Sequence, residues 1–264
     1  MAVSVTVHQG FIKLSNLITA KQLIKNLLLT TGVVAGLFAC GHEQVNKEAS
    51  ETSVFAANVD WENPEVFEIN KLPARASFFA YESAQLARDN QQNKSSRFLS
   101  LNGTWKFNWV DKPELRPIDF YKTDVDVSQW HDINLPGNVE RQGFGTPHYL
   151  NIEYVFPAEQ PNIPHSYNPV SSYVKYVDLP DSWQGQQVTI HFGAVNSAMY
   201  LWVNGKKVGY SQGSKLPAEF NITDHLLTEK NKIAVEVYRW SDGSYLEDQD
   251  GWSLSGIERD VYLY

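Results

Sequence analysis

The sequence predicts an all-β globular part, a sandwich of short strands, and three observations carry that prediction. Short runs alternate polar and apolar residues with a period of two. The pair Asn204-Gly205 sits between two such runs, the strongest short-range hairpin signal. Aromatic residues make up 13% of the chain, with 8 Trp, 13 Tyr and 13 Phe, and rings of this kind favour pleated, half-buried surfaces. Most of these rings read as core; some read as platforms for the CH faces of sugars.

The first segment reads as an address. Lys21 and Lys25 precede an apolar run from Leu27 to Ala39, too short for a comfortable membrane span. A basic flank followed by such a run is the form of a secretory signal, here residues 1–39. The run ends in Leu37-Phe38-Ala39-Cys40-Gly41, which resembles a bacterial lipobox, with Cys40 as the lipidated residue and new N-terminus. An uncleaved N-terminal helix is the alternative. Cys40 is the only cysteine, so the chain has no internal disulfide. Residues 40–58, small and polar, read as a flexible tether. The expected location is therefore the cell envelope, reached by export and held by a lipid anchor. Gly41 rather than Asp after the cysteine points to the outer membrane, although which membrane holds the anchor stays open.

The globular part spans 59–264. Residues 84–97 are compatible with a short helical stretch. Strands are predicted over Thr104–Trp109, just after the turn pair Asn102-Gly103, and over Tyr173–Val177. Others follow over Gln187–Phe192, Met199–Val203, Lys206–Tyr210, Ile233–Tyr238 and Arg259–Tyr264. Asp242-Gly243 reads as a turn. Many short strands separated by turns indicate a sandwich or jelly roll.

Charge and motifs exclude several functions. The net charge is −8, from 22 basic and 30 acidic residues. Lys13, Lys21 and Lys25 are the only charged residues before Cys40, so the remainder is more acidic still. No Lys/Arg cluster offers a nucleic-acid footprint. The seven His show no metal-ligand spacing, and neither a phosphate-cradling glycine loop nor a Gly-x-Ser-x-Gly elbow occurs. Glu247, Asp248 and Asp250 are too close in sequence to flank a sugar as an acid/base pair. They also lack the register of a calcium loop.

Several blocks then carry a specific resemblance. They include Asp60-Trp61-Glu62-Asn63-Pro64, Ser100-Leu101-Asn102-Gly103-Thr104-Trp105, Leu135-Pro136-Gly137-Asn138-Val139 and Tyr149-Leu150-Asn151-Ile152. Later come Leu201-Trp202-Val203-Asn204-Gly205, the long block from Arg239 to Asp250, and Ser255-Gly256-Ile257-Glu258-Arg259-Asp260-Val261. In this order they resemble the N-terminal sugar-binding domain of glycoside hydrolase family 2 β-galactosidases. The resemblance implies a jelly-roll β-sandwich of the galactose-binding-domain type. In the complete enzyme it implies hydrolysis of terminal β-galactosides such as lactose by two glutamates on a following TIM barrel, in a retaining mechanism. A barrel takes roughly 250 residues by itself, so this chain is expected to hold no catalytic residue and to be inactive alone.

The resemblance also implies roles for two positions. Asn151 matches a residue that binds the galactosyl group. Asp250 matches one that hydrogen-bonds galactose and ligates sodium, a partial site whose other ligands come from the barrel. The complete family enzymes use sodium and magnesium; no tightly bound cofactor is expected here. The expected partners are a β-galactoside, the remainder of the enzyme in cis or in trans, and a membrane through the lipid anchor. A stand-alone carbohydrate-binding lipoprotein without hydrolase activity is the competing reading. Trp240, Tyr245 and Trp252 fit either ring stacking on sugar or packing that shapes the loop, and packing is the simpler expectation.

Overall fold

Fifteen strands run through residues 59–150, 153–247 and 250–264, which are the residues the computed structural model describes. The predicted signal peptide, the tether with Cys40, and Asn151 lie outside them. The strands are β1 (Glu68–Ile69), β2 (Leu99–Ser100), β3 (Gly103–Val110), β4 (His131–Leu135) and β5 (His148–Leu150). Then come β6 (Val170–Val177), β7 (Thr189–Phe192), β8 (Val195–Asn196), β9 (Ala198–Val203) and β10 (Lys206–Ser211). The last are β11 (Ala218–Asn221), β12 (Asn231–Tyr238), β13 (Gly251–Ser253), β14 (Gly256–Ile257) and β15 (Val261–Leu263). One α-helix, α1 (Ala84–Asp89), occupies only the first part of the predicted stretch 84–97, and a short 3-10 turn follows at Gln92–Lys94. It starts where the Ser83 hydroxyl accepts from the Leu86 N–H and stops at Asn90, whose φ of 49° breaks the helix.

All strand pairs are antiparallel. Seven strands form one sheet in the order β1-β10-β9-β12-β6-β3-β4, and four form a second in the order β11-β7-β15-β2. The inward side chains of both sheets make one core. Trp105, Phe107, Tyr173, Leu201 and Val235 of the large sheet are buried together with Ile190, Phe192, Phe220 and Leu263 of the small one. The architecture is the predicted β-sandwich.

The β9–β10 hairpin turns at Asn204 and Gly205, whose φ values of 50° and 82° are both left-handed, as a tight hairpin turn requires. Asn204 also binds the next strand over. Its Oδ1 accepts from the Lys232 N–H at 2.8 Å, and its Nδ2 donates to Asn231 Oδ1 at 2.7 Å.

Alternation in β12 predicts a strand with one wet face, but every residue of β12 is buried. The reason is a cover over the outer face of the large sheet. Phe120 and Val127 pack onto Val174 and Ala234 from outside. The Lys232 amine is buried beneath this cover and donates to the backbone carbonyls of Lys122 and Val125. Glu236 accepts from the Tyr238 hydroxyl at 2.9 Å and faces Arg116 at 3.6 Å. Burial pushes its carboxyl above the ordinary range, and Arg116 opposes that push. Further along the same face, Trp61 is buried and stacks on Tyr238 with ring centroids 5.1 Å apart. The Asp60–Glu62 block thus fastens the start of the domain to the sheet.

The free edge of β4 is closed by a side chain. Gln142 Oε1 accepts from the Asn134 N–H at 2.9 Å, and Gln142 Nε2 donates to the Asn134 carbonyl at 3.0 Å. The amide thereby satisfies a backbone pair that a further strand would otherwise take.

Two buried features make testable demands. A Cβ added at Gly209 would lie 2.4 Å from the Ile69 carbonyl oxygen and 2.6 Å from the Phe220 ring, at an irregularity in the β9–β10 register. Gly209→Ala is therefore expected to destabilise the fold by about 1–3 kcal/mol, read as a lower urea midpoint. Arg239 and Glu140 form a buried pair 3.5 Å apart. Arg239→Met leaves the Glu140 carboxylate without its cation, an expected loss of about 3–5 kcal/mol in the same unfolding experiment.

Candidate functional site

A two-stranded ribbon, separate from both large sheets, carries the predicted ligand residues. β5 pairs with β13 so that His148 faces Ser253, Tyr149 faces Trp252 and Leu150 faces Gly251. Asp250 is the residue just before Gly251, and Asn151 is the residue just after Leu150. The register therefore pairs the immediate chain neighbours of the two predicted sugar contacts. Asn151 itself lies outside the described residues. Asp250 is exposed, and its Oδ1 accepts from the Tyr149 hydroxyl at 2.5 Å. This hydrogen bond raises the Tyr149 phenol above its ordinary range, since losing the proton would set two negative charges side by side. The Tyr149 and Trp252 rings meet edge to face with centroids 5.5 Å apart.

The ribbon is held from behind by Arg239, which follows the end of β12. Its Nη2 donates to the Thr146 carbonyl at 2.8 Å and the Ser253 carbonyl at 3.2 Å. Glu140 holds the other side of the assembly, accepting from the Ser255 N–H at 2.9 Å and the Ser255 hydroxyl at 2.6 Å. Burial pushes the His148 imidazole toward neutrality, and the nearby Arg239 charge adds to that push. A neutral ring next to a guanidinium avoids a second buried cation on the ribbon.

A cleft of about 590 Å³ opens between the ribbon and the loop Gly213–Leu216. Tyr154, Phe156 and Trp240 line it together with Asn196, Glu247 and Trp252. The loop is pinned at two points. Glu247 accepts from the Ser214 N–H and hydroxyl at 2.9 and 2.5 Å, and Lys215 donates to Glu258 at 2.5 Å. Glu247 thus serves to hold the loop. The expected turn at Asp242-Gly243 opens a short 3-10 segment, Asp242–Leu246, capped by Ser241.

The three candidate stacking rings divide. Trp240 and Tyr245 are buried, at 6% and 8% exposure, and Tyr245 donates its hydroxyl to the Asn162 carbonyl at 2.6 Å. They pack, as expected. Trp252 does not: it is 65% exposed, because the ribbon stands out from the sandwich and no described element covers that side. Tyr149, half exposed beside Asp250, is a contact that no sequence pattern singles out. Its one mark in the sequence is its place in the block Tyr149-Leu150-Asn151.

No group of three or more His, Cys, Asp or Glu among the described residues is placed to hold a metal ion. Asp250 brings one exposed carboxylate, which suits a hard cation as a single ligand of several.

Comparison with known proteins places the chain in a family. The profile described as "Glycosyl hydrolases family 2, sugar binding domain" matches residues 98–264. A β-galactosidase of Halalkalibacterium halodurans is 44% identical over 213 residues, covering 79% of this chain and 21% of that protein. A β-galactosidase of Psychromonas ingrahamii is 46% identical over 204 residues, covering 77% of this chain and 19% of that protein. A crystal structure of a Bacteroides uniformis β-glucuronidase aligns with a TM-score of 0.48 and 25% identity, over 63% of this chain and 17% of that one. The chain spans about a fifth of the length of the curated relatives it matches. It belongs to glycosyl hydrolase family 2 and carries that family's sugar-binding domain.

Proposed function

We propose that this chain is the N-terminal sugar-binding part of a β-galactosidase, and that its ribbon contributes Asp250 and Asn151 to a galactosyl site completed by the rest of the protein. The observation that carries the reading is the β5–β13 register, which brings the chain neighbours of both residues together at the end of one exposed ribbon. An ionised carboxylate accepts only, and an amide both donates and accepts. Together they suit the alternating donors and acceptors of sugar hydroxyls. The Tyr149 hydroxyl occupies one side of Asp250 Oδ1 and fixes the carboxylate's orientation for the ligand. The exposed Trp252 and Tyr149 rings offer an apolar edge next to it.

Hydrolysis with retention needs two carboxylates about 5–5.5 Å apart across the scissile bond. In this reading the barrel supplies them, and the ribbon binds and orients. Sodium, when bound, would neutralise charge and order hydroxyls at Asp250, with its remaining ligands on the barrel. Magnesium belongs to the complete enzyme, without a site assigned in this chain.

The proposal includes export and lipid anchoring. Its support is the sequence around Cys40, with the basic flank and apolar run before it.

Two outcomes are expected. In the complete protein, Asp250→Asn lowers kcat/KM for a nitrophenyl β-galactoside by about 100-fold or more, whereas Tyr149→Phe lowers it by about 5–10-fold. Steady-state kinetics decides this, and wild-type rates in both variants would refute the assignment. In cells, Cys40→Ser moves the protein out of the membrane fraction; an unchanged distribution on blots would exclude the lipid anchor.

A further inference from the structure

The ribbon that carries Asp250 holds a titratable group on its inner side. His148 lies in β5, one residue before Tyr149, whose hydroxyl donates to Asp250. Successive strand residues point to opposite faces, so His148 turns away from the exposed Tyr149 side. Its Nε2 is buried and has no hydrogen-bond partner. The His148 and Trp240 rings lie 6.4 Å apart by centroid, and the Arg239 guanidinium carbon is 4.9 Å from the same Trp240 ring. The imidazole thus sits against the contact that ties the ribbon down. Arg239 donates to the Ser253 carbonyl, and Ser253 is the residue that faces His148 across the ribbon.

A neutral imidazole suits this place and a cation does not. In the neutral ring one nitrogen is bare, whereas in the cation both carry a proton. Protonation therefore sets a charged N–H at Nε2 in a buried position without an acceptor, close to a second cation. Unpaired buried charge is strongly disfavoured. The charged groups acting on the ring are Arg239, just after β12, and Glu140, in the turn Glu140–Gln142. Glu140 is already engaged by Arg239 and by the Ser255 N–H and hydroxyl. Two phenols complete the surroundings, Tyr167 beside Arg239 and Tyr173 beside Glu140. Burial is the largest influence on the ring and resists the proton, Arg239 adds to it, and Glu140 offsets only part.

We propose that the ribbon is an acid-sensitive element of the site: a proton taken up by His148 loosens β5 and β13 from the sandwich, and with them the seat of Asp250. The consequence for the sugar site rests on the galactosyl reading of Asp250, whereas the loosening itself does not. The direction follows from linkage. A free imidazole takes its proton near pH 6.5, and the docked ring takes it only at lower pH. Docking is therefore at full strength above about pH 6.5 and weakens as the pH falls from there toward the docked ring's own lower value. A ribbon with three residues in each strand has little else to hold it once that happens.

The test is amide hydrogen exchange of the 264-residue chain, read by mass spectrometry at pH 7.5 and 5.5 and corrected for the slower chemical exchange in acid. Peptides covering 146–150 and 251–255 report the ribbon, and a peptide from β9 is the internal control. Ribbon exchange is expected to rise by about threefold or more relative to β9 at the lower pH. His148→Gln keeps a neutral polar side chain at both pH values and is expected to lose that rise. Proton NMR of the unaltered chain needs no variant and decides alone if His148→Gln does not fold. The His148 ring signal, identified by its Overhauser contact to Trp240, is expected to titrate below the ordinary value of about 6.5. Equal exchange at the two pH values, a rise that persists in His148→Gln, or a ring that titrates at or above the ordinary value would each overturn the proposal. None of these readouts involves a sugar, so the Asp250→Asn kinetics judge the galactosyl reading separately.

Discussion

The buried contact between Arg239 and Glu140 is the constraint on which the site depends. A three-residue ribbon of two strands has too little buried area to hold its own shape in water. Arg239 supplies what the ribbon lacks, because one guanidinium donates to the carbonyls of Thr146 and Ser253, beside the two strands of the ribbon. Such a cation is tolerated in the interior only with a partner, and Glu140 is that partner. Glu140 in turn accepts from Ser255 beyond the second strand. The pair is therefore less a stabiliser of the core than a bracket. It joins the end of β12 to the exposed strands that carry Asp250.

The same logic recurs across the outer face of the large sheet. An ordinary sandwich leaves that face to water. Here it is roofed, and the two charged groups of β12 caught beneath are given partners. Lys232 meets two carbonyls, and Glu236 meets Tyr238 and Arg116. The roof makes the large sheet a stiff plate with core on both sides. Against that plate the ribbon and the loop Gly213–Leu216 stand out, with Trp252 and Leu216 exposed.

Much of the sandwich was readable in the chain, and its reasons are local. β3, β6, β9, β10 and β12 are long enough to show a period of two, and Asn204-Gly205 announces its own turn. β4, β5, β11 and β13 escape because each holds only two or three alternations. The ribbon is hardest of all, since its hydrogen bond from Tyr149 to Asp250 spans 101 residues of sequence and its exposed rings resemble core residues until the register is known. Asp250 came from family likeness, not from periodicity. The burial of both faces of β12 was hidden for a related reason: nothing in Lys232 or Glu236 reveals that residues around 120 fold back over them.

Gln142 has a meaning that extends past the single domain. A sheet edge is an invitation to any extended chain nearby, and a protein built from several β-rich units carries many such chains at high local concentration. By imitating the backbone with its own amide, Gln142 makes the edge at Asn134 chemically silent while keeping it solvated. An extended segment passing that edge finds the Asn134 N–H and C=O already taken. A single amide side chain thus limits what the sheet can add to itself.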